Sequence, residues 1–106
     1  MKAKDFNKII PSHVRITKDI TYEVVWLDDF IDKKQLGECR YNEKQIVIKK
    51  NQSNSESMST FIHEALHAVS FETKGLNLTE GQVYKLERSL FRMLKLNNIF
   101  DLFDRK

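Results

Sequence analysis

His63-Glu64-Ala65-Leu66-His67 is the stretch on which the reading of this 106-residue chain turns. Residues four apart on a helix lie one above the other, so both imidazoles can reach a single Zn²⁺ while Glu64 stands beside the open coordination position. That spacing predicts a hydrolytic metal site. Between Phe61 and Phe71 the only charged residue is Glu64. An interior helix is therefore expected, in which an unpaired carboxylate is costly unless it has a task.

The flanks set the limits of that helix. Ser53, with Glu56 three residues on, makes a capping box and predicts a helix from about Asn54 to about Thr73. Met58, Ile62, Leu66 and Val69 form its expected core stripe, and Thr60, His63, His67 and Ser70 share a different face. Gly75 is expected to close it as a C′ glycine. Thr79, with Gln82 in the capping-box position, opens a second long helix whose buried stripe is read as Val83, Leu86, Leu90 and Met93 or Leu94. Asn97-Asn98 ends it. The apolar tail of Ile99, Phe100, Leu102 and Phe103 is expected to pack on the domain, a dimer or partner surface being the other reading.

Upstream, the even positions from Val14 to Trp26 carry Val14, Ile16, Ile20, Tyr22, Val24 and Trp26, a period of two that predicts extended structure. Lys18-Asp19 interrupts it, so a hairpin or bulge there divides it into two strands. Asp28 to Lys34 reads as a surface loop or short helical turn. Gly37–Tyr41 is expected to pair with the β-branched run Gln45–Lys49 through a turn at Asn42-Glu43-Lys44. Met1–Ile10 has helix-like apolar spacing and stops at Pro11. The expected architecture is α+β, with a small antiparallel sheet packed on the His63–His67 helix and a second long helix, as one domain over residues 1–106.

Composition narrows the classes. With 18 basic and 15 acidic residues, a net charge of +3 and 41% apolar residues, the chain reads as a globular domain with scattered cations, and no nucleic-acid partner is expected. A lone cysteine, Cys39, excludes an internal disulfide and fits a reducing compartment. No apolar leader follows Met1, and no run is long enough to cross a bilayer. The expectation is a cytoplasmic monomer acting on a peptide or protein substrate.

A catalytic zinc takes three protein ligands and keeps a fourth position for water. Two acidic residues of the second helix can supply the third ligand. Glu80 lies in its first turn, and Glu87 two turns further along the same face; geometry alone leaves the choice open. An exposed helix carboxylate is the plain alternative for each, and Glu80 suits the positive end of a helix dipole. Glu64 is placed as the general base. Tyr84, one turn after Glu80, is a candidate oxyanion donor, with a packing tyrosine as the commoner role. His13 reads as a strand-start residue. The strand Gln45–Lys49 is either an edge to which an extended substrate adds or an ordinary core strand.

The run Phe61–Val69, followed by Leu78-Thr79-Glu80-Gly81-Gln82-Val83 with Leu86 and Leu90, resembles the small zinc peptidases of phages and mobile elements, minimal gluzincins related to the ImmA/IrrE type. The resemblance spans about residues 14–97. It implies a zincin-like fold, a Zn²⁺ cofactor, the ligands His63, His67 and Glu80, and Glu64 as base. It also favours Glu80 over Glu87 and implies cleavage of a regulatory protein of a phage or mobile element. The alternative is a catalytically inactive zincin-like module that binds a partner protein.

Overall fold

Residues 10–99 are described by a computed structural model; the helix expected over Met1–Ile10 and the tail beyond Ile99 lie outside the described residues, apart from Ile10 itself. Strands β1 (His13–Arg15) and β2 (Thr21–Leu27) form an antiparallel pair with Val14 opposite Tyr22. The polar interruption becomes their turn, where Thr17 Oγ1 accepts from the backbone N–H groups of Asp19 and Ile20. His13 begins β1 and is exposed. Strands β3 (Gly37–Arg40) and β4 (Gln45–Lys49) make a second hairpin. Its left-handed residue is Lys44 (φ 58°) rather than Asn42.

The sheet is mixed, which corrects the antiparallel expectation. Its order is β1-β2-β4-β3, and β4 runs parallel to β2 with Val24 opposite Ile46. The connection over 28–36 carries the chain past the place beside β2 and lays β3 one strand further out. The hairpin then returns β4 into the gap. Tight turns read from sequence give only the two local pairs; the β2–β4 pair joins residues far apart in the chain. Ile46, Val47 and Ile48 are all fully buried, the continuous apolar run of a strand covered on both faces. Thus β4 is central, the edge-strand reading of Gln45–Lys49 is withdrawn, and β1 and β3 are the edges.

One helix packs on the sheet, and a second packs on the first. Helix α1 (Asn54–Glu72) begins at the Ser53/Glu56 capping box, and α2 (Glu80–Leu96) at the Thr79/Gln82 box, as the sequence predicts. Gly75 is not the C′ residue. Thr73 is the C-cap of α1, and Gly75 (φ 85°) is the third residue of the next turn, which Leu76 N–H closes on Thr73 O at 3.1 Å. The core joins Tyr22, Val24, Ile46 and Ile48 from the sheet to Met58 and Ala68 of α1, with Ile10, and Phe61, Ile62 and Ala65 pack against it.

Both helix stripes differ from expectation. On α1, Ser57, Thr60, Glu64 and Ala68 are buried while Leu66 and Val69 are half-buried. On α2, Val83 is buried and Leu90 half-buried as expected, and of the two candidates for the last position Leu94 turns inward rather than Met93. Leu86 is exposed, and Glu87 and the half-buried Phe91 face inward. A polarity pattern cannot anticipate buried carboxylates that have partners. The loop between β2 and β3 buries Phe30 and leaves Ile31 exposed. No helix among the described residues is long and apolar enough to cross a membrane.

A polar contact fixes the far end of α1 on the sheet. The buried Tyr22 hydroxyl donates to Glu72 Oε2 at 2.8 Å, and Lys44 Nζ donates to the same oxygen. Lys44, then Tyr22, hold the Glu72 carboxyl below its ordinary value; burial and Glu72 push the Tyr22 hydroxyl up. Glu72→Ala strands that hydroxyl, a loss of about 1–3 kcal/mol in urea unfolding at pH 7. Because the folded carboxyl titrates low, its contribution is present above the usual range near pH 4.3 and fades as acid protonates it. The wild-type advantage should therefore shrink below about pH 4.

Candidate functional site

The connection between the helices decides which carboxylate of α2 meets the two histidines. Leu78 N–H donates to Ser70 Oγ at 2.8 Å, one turn beyond His67. That bond and the Thr73–Leu76 turn bring Thr79 back beside the last part of α1, so Glu80 opens α2 against the imidazoles. His63 Nε2 lies 3.0 Å from Glu80 Oε2, and His67 Nε2 lies 2.8 Å from Glu80 Oε1. His63, His67 and Glu80 thus each offer one donor atom, all within 4.8 Å of one another.

Glu87 lies at the other side of His63. Its Oε1 is 3.4 Å from His63 Nδ1, and its Oε2 accepts from the Ser59 hydroxyl. Ser59 opposite Glu87 and His67 opposite Glu80 make the two helices antiparallel neighbours. Both acidic candidates therefore reach the histidines, at different ring nitrogens. The support from Ser59 and Glu87 is a feature that the spacing did not single out, although Ser59 precedes His63 by one turn and Glu87 follows Glu80 by two.

Glu64 points between α1 and the edge strand β3, and only 9% of its surface is exposed. Burial pushes its carboxyl up to about 7; His63 opposes the shift, and the carboxylates of Glu80 and Glu38 add to it. Among the described residues none donates a hydrogen bond to it, and no buried side-chain oxygen is left unpaired. The carboxylate is therefore not sealed in: it lines a cleft of about 540 Å³.

Gly37 makes that placement possible. A Cβ there would stand 2.5 Å from Thr60 Cγ2 and 3.1 Å from Glu64 Cγ, so only glycine lets β3 approach α1 this closely. Gly37→Ala should cost about 1–3 kcal/mol in denaturant unfolding by forcing strand and helix apart. The neighbouring Cys39 is half-buried, and burial followed by the nearby Glu64 and Glu72 carboxylates pushes its thiol up to about 12. It is a packing residue.

Tyr84 stands on the opposite wall, half-exposed, its ring edge to face with that of His63 at 4.8 Å between centres. The His63 and His67 rings meet edge to face at 5.0 Å. The cleft floor is α1, one wall is the segment leading into β3, and the other is α2. His13 is at the opposite edge of the sheet, in β1. No family model, curated protein or solved structure matches this chain.

Proposed function

We propose that this chain is a zinc metallopeptidase of zincin-like fold, in which His63, His67 and Glu80 hold Zn²⁺ and Glu64 is the general base. The observation that carries this reading is the pair of carboxylates around His63. A neutral imidazole has one N–H and one lone pair. If Nδ1–H donates to Glu87, Nε2 turns a lone pair toward Glu80, and His67 Nε2 meets the same carboxylate. A cation among the three donors resolves that conflict, and a carboxylate behind a metal-binding histidine is its common support.

The donor set fits Zn²⁺. Two imidazoles and a carboxylate are a known catalytic trio, and tetrahedral bonds of about 2.0–2.2 Å set donor atoms about 3.3–3.5 Å apart. The three donor atoms, one from each residue, lie within 4.8 Å of one another, so seating the ion requires shifts of about an ångström, which Glu80, more than half exposed, can make.

Bound zinc would acidify a water molecule and polarise a carbonyl. Glu64, buried, without a hydrogen-bond donor and open to the cleft, is the residue that would take a proton from a water in the cleft and deliver it to the leaving amine. The Tyr84 hydroxyl is the side-chain donor on the cleft wall for the developing oxyanion. The edge strand β3 borders the cleft at Gly37, which suits an extended peptide adding to the sheet. The fitting substrate is a protein segment, such as an exposed loop of a regulatory protein.

Dialysed wild-type protein should retain one zinc per chain and cleave a random peptide library, with chelation abolishing cleavage and added Zn²⁺ restoring it. Absence of bound metal would leave only two histidine–carboxylate contacts and defeat the reading. Zinc held in a closed four-ligand site with an uncut library would instead favour the inactive partner-binding module.

A further inference from the structure

The charged groups lining the cleft divide into two sets. Its carboxylates are committed: Glu80 faces two imidazoles, Glu87 faces Ser59 and His63, and Glu64 is buried in the floor. Its cations, Lys34 and Arg88, are exposed, and among the described residues no carboxylate lies within ion-pair distance of either. They come from opposite walls, Lys34 from the loop before β3 and Arg88 from α2.

Both cations belong to the same end of the cleft. Lys34 is two residues before Leu36, whose carbonyl accepts from Gln52 Nε2 at 3.4 Å, and Gln52 directly precedes the N-cap of α1. Arg88 follows Glu87, which accepts from Ser59 near the start of the same helix. Lys34 and Arg88 thus flank the part of the cleft lined by Ser59 and Thr60 of α1. The histidines and Glu80 occupy the other end.

We propose that this end of the cleft selects a peptide carrying an acidic side chain, read by Lys34 and Arg88. The inference rests on the peptidase reading for the bond that is cut, and on charge complementarity for the specificity. Arg88 lies eight positions beyond Glu80 on α2, about 12 Å along the helix axis. An extended peptide covers that distance in about three to four residues. The Asp or Glu is therefore placed about three to four residues from the scissile bond. A neutral or basic residue there leaves both cations unpaired or repelled, so the preference includes rejection as well as attraction.

The test separates specificity from catalysis by using binding first. Fluorescein-labelled dodecapeptide pools, random except for one central position fixed as Glu, Gln or Lys, are titrated into zinc-loaded Glu64→Gln protein and followed by anisotropy. The Glu pool should bind about fivefold or more tightly than the Gln pool, and the gap should narrow in high salt. K34Q/R88Q should bring the Glu pool level with Gln, and K34E/R88E should make the Lys pool the tightest. Equal binding of the three pools, or a Glu preference that survives K34E/R88E, overturns the inference. Wild-type protein is then incubated with the same pools, and the cut sites are read by mass spectrometry. Cleavage indifferent to the fixed residue overturns the inference and leaves the peptidase reading standing. Charge-selective binding with no cleavage sustains the acidic-peptide site and defeats the peptidase reading.

Discussion

Glu64→Gln should fold, keep its zinc and lose turnover, with kcat on a cleaved peptide down by about 10²–10⁴-fold, the usual contribution of a positioned general base. Gln fills the same space but cannot carry a proton from water to a leaving amine. Zinc content measured beside kcat checks both halves: retained metal with lost turnover assigns the base, whereas unchanged turnover removes Glu64 from the chemistry. The same variant should be more stable than wild type in the metal-free state. Burial pushes the Glu64 carboxyl up to about 7, so ionising it in the folded chain is unfavourable. Wild type loses that stability as pH rises from the ordinary carboxylate range through 7, and Gln loses none. The difference should approach the order of 2 kcal/mol by pH 8 in chelator-treated samples, read by urea unfolding. An identical pH dependence in the two proteins would show that the carboxylate is solvated.

The second large effect distinguishes the two acidic residues of α2. Glu80→Ala removes the carboxylate that both Nε2 atoms face, and zinc should be lost on dialysis. Glu87→Ala removes the group behind His63 Nδ1, and zinc should be retained with affinity reduced about 10–100-fold, the usual cost of losing an orienting partner. It should also unfold more easily, by about 1–3 kcal/mol, because Ser59 and His63 lose their partner in the helix interface. Equal and complete metal loss in both variants would make Glu87 a ligand. Retention of zinc by Glu80→Ala would move the site elsewhere.

Helix starts were legible because their determinants are local. Ser53 with Glu56, and Thr79 with Gln82, satisfy the first free backbone N–H groups of each helix within four residues of sequence. The hairpin between β1 and β2 was legible for the same reason, since alternation and the Lys18-Asp19 break are read from one short window. The spacing of His63 and His67 needed nothing beyond the pitch of a helix. The stripes were less legible. Leu86 and Met93 fit the apolar period of α2, yet both are exposed, and Glu87 takes an inner position because Ser59 and His63 receive its carboxylate.

By itself, the sequence determined the two capped helices, four strands, an α+β composition and two imidazoles on one helical face. Only the tertiary structure decided that β4 enters between β2 and β3 and runs parallel to β2, which leaves β3 as an edge. It alone placed Glu80 at the Nε2 atoms and Glu87 at Nδ1, and set Gly37 close enough to bury Glu64 beside a cleft. The physical reason is range. Caps, turns and periodicity act over a few residues, whereas a parallel strand pair, a buried carboxylate and the choice of ring nitrogen depend on which distant surfaces come together.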